Sequence, residues 1–123
     1  YFFLLNPSAE AEDKSGYVTT SRDLSFTETK KCWAIFFDGN QFRGKRFAIV
    51  GAVELEKMKI RGADWANIID SVMVGPKARV KYYSEKKFKG RERVLLPGVH
   101  MDNLSLIRYG TEMESLKLEC LDE

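Results

Sequence analysis

A chain of 123 residues, 44% hydrophobic and 12% aromatic, carries enough apolar surface to fill one core and falls within the size of one domain. Twenty basic against 18 acidic side chains leave a formal net charge of +2, a field too weak to force tight nonspecific binding to nucleic acid, so no specific nucleic-acid partner is expected. No apolar stretch approaches the roughly 20 residues of a membrane-crossing helix, and no transmembrane segment is expected.

The chain opens with YFFLL (1–5), continues through the polar, turn-like NPSAEAEDKSG (6–16) and reaches GYVTT (16–20). Both apolar pieces have strand-forming composition, so residues 1–30 read as an N-terminal extension, a strand or hairpin docking on the domain or on a partner. Left exposed, YFFLL is an aggregation risk, which marks it as a contact for a homo-oligomer or as a strand of a larger parent chain. The short run before Ala9-Glu10-Ala11 also has the small-x-small pattern of a signal-cleavage site. An ordered N-terminal strand is the preferred reading.

From residue 31 the chain breaks into short strand-like runs. KCWAIFF (31–37), RFAIV (46–50), VELEKMKI (53–60) and IIDSVMV (68–74) form one group; ARVKYY (78–83), RVLL (93–96), VHMDNLSLI (99–107) and ESLKLE (114–119) form another. Gly39, Gly44, Gly51, Gly62, Gly75, Gly90, Gly98 and Gly110 punctuate them, as in an all-β sandwich. Helical periodicity is sustained nowhere, and only a helical turn around Ala63–Asn67 competes. The groups repeat one another: Phe37 aligns with Tyr83, Phe42 with Phe88, Gly44 with Gly90 and Ser71 with Ser115.

This repeat predicts an all-β fold of two Greek-key motifs, about 31–75 and 78–121, packed as a β-sandwich, because a four-strand unit cannot bury both faces alone. If the hairpin after each first strand folds back over its sheet, Phe37 can stack on Phe42 and Tyr83 on Phe88. Glycine then serves where φ is positive or space is short. Ser71 and Ser115 are placed to donate their hydroxyls to the hairpin backbone. Cys32 and Cys120, the only cysteines, read as two buried thiols on apolar strands; the alternative is a bridge closing a loop of about 90 residues, which requires an oxidising setting.

An aromatic, four residues, a second aromatic, one residue and glycine, with a serine further along, resembles the signature of the βγ-crystallins. Both halves carry it, in Phe37, Phe42, Gly44, Ser71 and in Tyr83, Phe88, Gly90, Ser115, and the resemblance covers about residues 31–121. Trp65 and Tyr109 look like the family's aromatic corners. The resemblance implies a non-enzymatic structural or stress-related protein, and it implies calcium sites that combine the hairpin of one motif with an acid-amide stretch of the other. Here those stretches are ANIIDS (66–71) and GTEMES (110–115), in which Ala66 and Gly110 offer no side-chain oxygen and Asp70 and Glu114 stand where a hydroxyl is usual. Asp38, Asn67 and Glu114 would form one site and Ser84, Thr111 and Asp70 the other, with weak or vestigial calcium binding.

A second class of function draws on the basic hairpins. Arg43, Lys45 and Arg46 in the first, and Lys86, Lys87, Lys89, Arg91 and Arg93 in the second, interleave cations with aromatics. That is the composition of a secreted binding or toxin-like module engaging an anionic polymer, glycan or membrane surface, although Glu85 and Glu92 dilute it. Catalysis has no candidate constellation: His100 beside Asp102 mimics a base with its orienter, and a solvated strand-edge histidine is the preferred reading.

Overall fold

In the computed structural model the described residues are 16–121. Tyr1–Leu5, the Ala9–Ala11 pattern and the oligomer contact expected of YFFLL lie outside them. Among the described residues eleven strands follow in chain order: β1 (Tyr17–Thr19), β2 (Trp33–Phe37), β3 (Arg46–Val50), β4 (Val53–Leu55), β5 (Lys59–Ile60), β6 (Ala63–Asp64), β7 (Ser71–Val74), β8 (Ala78–Glu85), β9 (Lys89–Leu95), β10 (His100–Met101) and β11 (Ser115–Cys120). A single helical turn, α1 (Phe26–Thr29), precedes β2. Among the described residues no helix is long and apolar enough to cross a membrane.

Two antiparallel sheets face each other, one in the order β1-β3-β2-β7-β10 and the other β4-β11-β8-β9, with β5 and β6 forming a small separate hairpin. The order discloses how the motifs interlock. β2, β3 and β7 of the first motif sit in the first sheet, while its β4 crosses to pair with β11. The second motif answers in kind, sending β10 across to pair with β7. Neither motif therefore completes a sheet without the other.

The core between the sheets collects Phe36, Phe47, Ile49, Val72, Val74, Val80, Tyr82, Leu116 and Leu118 among its largest members. The sequence WAIFF of β2 does not alternate in polarity, and all five of its residues are buried. Ala34 and Phe36 point into the core between the sheets, whereas Trp33, Ile35 and Phe37 join a second cluster on the outer face with Ala48, Val50 and Phe26. Phe26 on α1 meets the Trp33 ring edge-on at 6.1 Å. Within residues 16–30, β1 extends the first sheet at its edge, pairing with β3 from Tyr17 opposite Val50 to Thr19 opposite Ala48, while Leu24 and Phe26 cover its outer face. A sheet buried on both faces needs apolar residues at successive positions, which explains the run.

Three expectations are corrected. Cys32 and Cys120 are not thiols but a disulfide with a Cα–Cα distance of 5.4 Å. Cys32 precedes β2 in one sheet and Cys120 ends β11 in the other, so the bridge staples the layers together. Closing a loop of 88 residues corresponds to roughly 4–5 kcal/mol in the chain-entropy model. The helical turn around Ala63–Asn67 is instead the strand β6 followed by a tight turn, because the two-residue turn at Arg61 and Gly62, both with positive φ, folds the chain into the β5–β6 hairpin. VELEKMKI splits into β4 and β5, and VHMDNLSLI into β10 and a 3₁₀ turn at Leu104–Leu106 where Asn103 accepts from the Ser105 N–H.

Candidate functional site

Each first strand ends in a hairpin that folds back, and the two hairpins are built alike. Phe37 and Phe42 meet edge-on at 5.8 Å and 68°, and Tyr83 and Phe88 do so at 5.8 Å and 68°. The tips turn through consecutive left-handed residues, Gln41 and Phe42 in one and Lys87 and Phe88 in the other. Such backbone is strained for side chains larger than glycine and persists only where its surroundings hold it.

The serines supply that hold. Ser71, fully buried, donates from Oγ to the Gly39 carbonyl at 2.6 Å and accepts from the Phe42 N–H at 3.0 Å. Ser115 donates to the Glu85 carbonyl at 2.6 Å and accepts from the Phe88 N–H at 2.9 Å. Each tip is also received by the opposite motif, Gln41 donating its N–H to the Asp102 carbonyl and Lys87 to that of Glu56.

Glycine closes each hairpin for two reasons. Gly44 and Gly90 have φ of +90° and +85°, and a Cβ on either would overlap the side chain of Asp38 or of Ser84. Those side chains are there because they finish the turn: Asp38 Oδ1 accepts from the Lys45 N–H at 2.9 Å, and Ser84 Oγ from the Arg91 N–H at 2.8 Å.

The two calcium sets read from the sequence are corrected by the fold, which sets Asn67 and Glu114 beside Ser84 rather than Asp38, and Asp70 beside Asp38 rather than Ser84. Asn67 reaches the opposite motif, its Nδ2 donating to Glu114 at 3.1 Å and its Oδ1 accepting from the Met113 N–H at 2.9 Å. Glu114 in turn donates its N–H to the Tyr83 carbonyl, which sets Asn67 and Glu114 beside the second hairpin, with Ser84. Asp70 stands beside the first, donating its N–H to the Phe37 carbonyl, and its Oδ1 is buried without a hydrogen-bond partner. Asp38 belongs to that first hairpin, and Thr111 makes no side-chain hydrogen bond among the described residues. Among those residues no three His, Cys, Asp or Glu side chains converge as a metal cluster. As donor sets the sites fit calcium only in part: Asp70 Oδ1 is uncommitted, Asp38 commits Oδ1 to the Lys45 N–H, and Asn67 spends its one carbonyl oxygen on the Met113 N–H.

The basic residues divide. Arg91 pairs with Glu112 at 3.0 Å and lies 3.7 Å over the Tyr109 ring, and Arg93 donates to the Arg108 carbonyl. Arg43 donates to Gln41. Lys45, Lys86, Lys87 and Lys89 carry ammonium groups with no partner among the described residues. Arg46 donates to the Arg22 carbonyl at 3.4 Å. His100 is exposed on β10 with its ring 6.2 Å from that of Phe42, and no hydrogen bond joins it to Asp102. Trp65 is buried edge-on against Phe47, whereas Tyr109 stays exposed between Arg91 and Arg108.

Two tyrosines hold their protons tightly. Burial raises the Tyr82 phenol, whose hydroxyl donates to the Gly110 carbonyl at 2.9 Å. Tyr83 is pushed up to about 12 by burial and by its hydrogen bond to Glu92, which a phenolate could not make.

The family model for Beta/Gamma crystallin matches residues 30–116, most of the chain. The chain belongs to the βγ-crystallin family. Solved structures carry the same fold at low identity. A domain from work on the evolution of the eye-lens βγ-crystallin fold is 16% identical with a TM-score of 0.68, covering 88% of this chain and 100% of its own. The N-terminal domain of protein S is 18% identical at a TM-score of 0.61, over 74% and 99%. Spherulin 3A from Physarum polycephalum is 15% identical at 0.58, over 76% and 87%. No curated protein matches the chain by sequence.

Proposed function

We propose that this βγ-crystallin domain is a non-enzymatic structural or stress-related protein, working where disulfides persist and binding calcium weakly. The observation that carries the reading is where the hairpins' polar groups go. Asp38 through Oδ1, and Ser71, Ser84, Ser115 and Asn67 through their side-chain oxygens, all accept from the protein's own backbone, so these oxygens serve the fold. The Cys32–Cys120 bridge adds a covalent staple across the sandwich, and such bridges belong to oxidising compartments. Both features favour endurance of the fold over turnover of a substrate.

Calcium is a hard cation that takes six to eight oxygens, and here Asp70 and Glu114 would supply the charge. Calorimetric titration of the disulfide-bonded chain with calcium chloride tests the reading. The expected dissociation constant is no tighter than about 10⁻⁴ M, the range of the weakest calcium modules. At a free concentration tenfold above that constant, linkage adds only about 1.4 kcal/mol per site. Micromolar affinity would refute the reading and make calcium the principal ligand, and loss of that affinity in Asp70→Ser and Glu114→Ser would locate it.

A further inference from the structure

Beside the first hairpin lies an open groove of about 580 Å³ that has no counterpart in the function proposed above. Three separate segments build it: the covering segment with Arg22, the hairpin with Lys45 and Arg46, and the β5–β6 hairpin with Arg61, leading on to Trp65 and Ile68. Four cations therefore converge from parts of the chain that are distant in sequence. Two carboxylates, Asp38 and Asp64, share the lining, each accepting from a backbone N–H through Oδ1, that of Lys45 and that of Ala66, so the four cations exceed the anions by two. Among the described residues the Arg22 and Arg61 guanidinium groups and the Lys45 ammonium have no ion-pair or hydrogen-bond partner. Arg46 ties the rim together through its bond to the Arg22 carbonyl.

Arg61 is an unusual choice where it stands. It holds φ +52° in a two-residue turn with Gly62, a position at which asparagine or glycine is the relaxed residue. Strain kept at an exposed arginine points to its guanidinium as the reason. Ile68, 47% exposed, gives the groove an apolar side next to its cations, with Trp65 buried beneath.

We propose that this groove binds the sulfate or carboxylate groups of an anionic polysaccharide. A sugar chain presents both faces the groove offers, acidic substituents for the cations and ring carbons for the exposed Ile68. A nucleic acid fits less well, since the disulfide belongs to an oxidising compartment.

The test is calorimetric titration of the disulfide-bonded chain with a heparin hexasaccharide at low salt and at about 150 mM salt, where exposed charges are screened beyond roughly 8 Å. The expected result is saturable binding that weakens with salt. Lys45→Gln combined with Arg61→Asn should weaken it about tenfold or more, as for the loss of two charge-assisted contacts. The urea midpoint should hold or rise, because asparagine suits the turn. Lys86→Gln, Lys87→Asn and Lys89→Gln together, on the other hairpin, should leave affinity within about twofold, the scale of exposed charge changes. The proposal is overturned if the parent chain fails to bind the hexasaccharide, if the Lys45 and Arg61 variant binds it equally well, if the second-hairpin variant is the one that loses it, or if single-stranded DNA or phosphatidylserine vesicles bind more tightly.

Discussion

Replacing Ser71 by alanine removes one oxygen and two hydrogen bonds from a site with no exposure to solvent. The Gly39 carbonyl, accepting at 2.6 Å, and the Phe42 N–H, donating at 3.0 Å, both lose their partner. A buried polar group left unsatisfied costs about 1–3 kcal/mol. Phe42 is half-buried, so water can recover part of its share, and the pair together should cost about 2–4 kcal/mol. A second consequence is local: without Ser71 only the Gln41 N–H bond to the Asp102 carbonyl and ring packing against Phe37 hold Gln41 and Phe42 left-handed. Urea unfolding of the oxidised chain at constant slope measures the total, and amide exchange at Phe42 reads the loosening of the tip. Ser115→Ala should behave the same way at Glu85 and Phe88. The serines hold hairpins in different sheets, so the double variant should lose the sum within about 0.5 kcal/mol. A loss below about 0.5 kcal/mol in either single variant, the scale of a neutral surface change, would refute the account of how the hairpins are held.

Gly44→Val and Gly90→Val should each cost about 2–4 kcal/mol in urea unfolding, since positive φ and overlap with Asp38 or Ser84 act together. Gly98→Ala is the control: its φ is +77° but nothing lies within 4 Å of the added carbon, so only about 1–2 kcal/mol is expected. Removing the bridge with Cys32→Ala and Cys120→Ala should lower stability by about 2–5 kcal/mol, and reducing agent should lower the parent's urea midpoint but not the variant's. Tyr83 keeps its proton to about 12 in the fold, against about 10 when unfolded. Its stabilisation is therefore whole below pH 10 and is lost as pH rises from 10 to 12, a fall that Tyr83→Phe should flatten in alkaline unfolding curves.

The hairpins were legible in the sequence because everything that builds them is close by or repeated. Phe37, Phe42, Gly44 and Ser71 each do one job whose chemistry selects the residue type, and Tyr83, Phe88, Gly90 and Ser115 repeat the set. The disulfide was harder to read. Whether Cys32 and Cys120 bond depends on which ends of two layers coincide, and burial of both cysteines is compatible with either outcome. Phe26 escaped notice altogether, since one aromatic in SRDLSFTETK sets up no period; the lack of alternation in WAIFF was the available sign that something covers the outer face. At the candidate calcium positions the motif gives residue types but not directions. Asp38 and Ser84 have the right oxygens, and the fold aims them at the N–H groups of Lys45 and Arg91.

The same interlocking accounts for why so small a sandwich can hold strained turns at all. Left-handed backbone at Gln41, Phe42, Lys87 and Phe88 is tolerable only where contacts from elsewhere fix it. Those contacts come from both motifs: Ser71 within the first and the Asp102 carbonyl from the second for one tip, Ser115 and the Glu56 carbonyl for the other. Asp102 follows β10 and Glu56 follows β4, the two strands that cross between sheets. A strand that crosses therefore does two things at once, adding an edge to the opposite sheet and delivering the acceptor for that sheet's hairpin tip. Loosening either tip weakens a contact between motifs, and parting the sheets releases both tips. The Cys32–Cys120 bridge joins a residue beside the first strand of one motif to the last strand of the other, so it opposes that parting at the far end of each motif. Strain in the hairpins and exchange of strands are in this sense one arrangement, since the exchanged strands carry the carbonyls that make the strained turns stable.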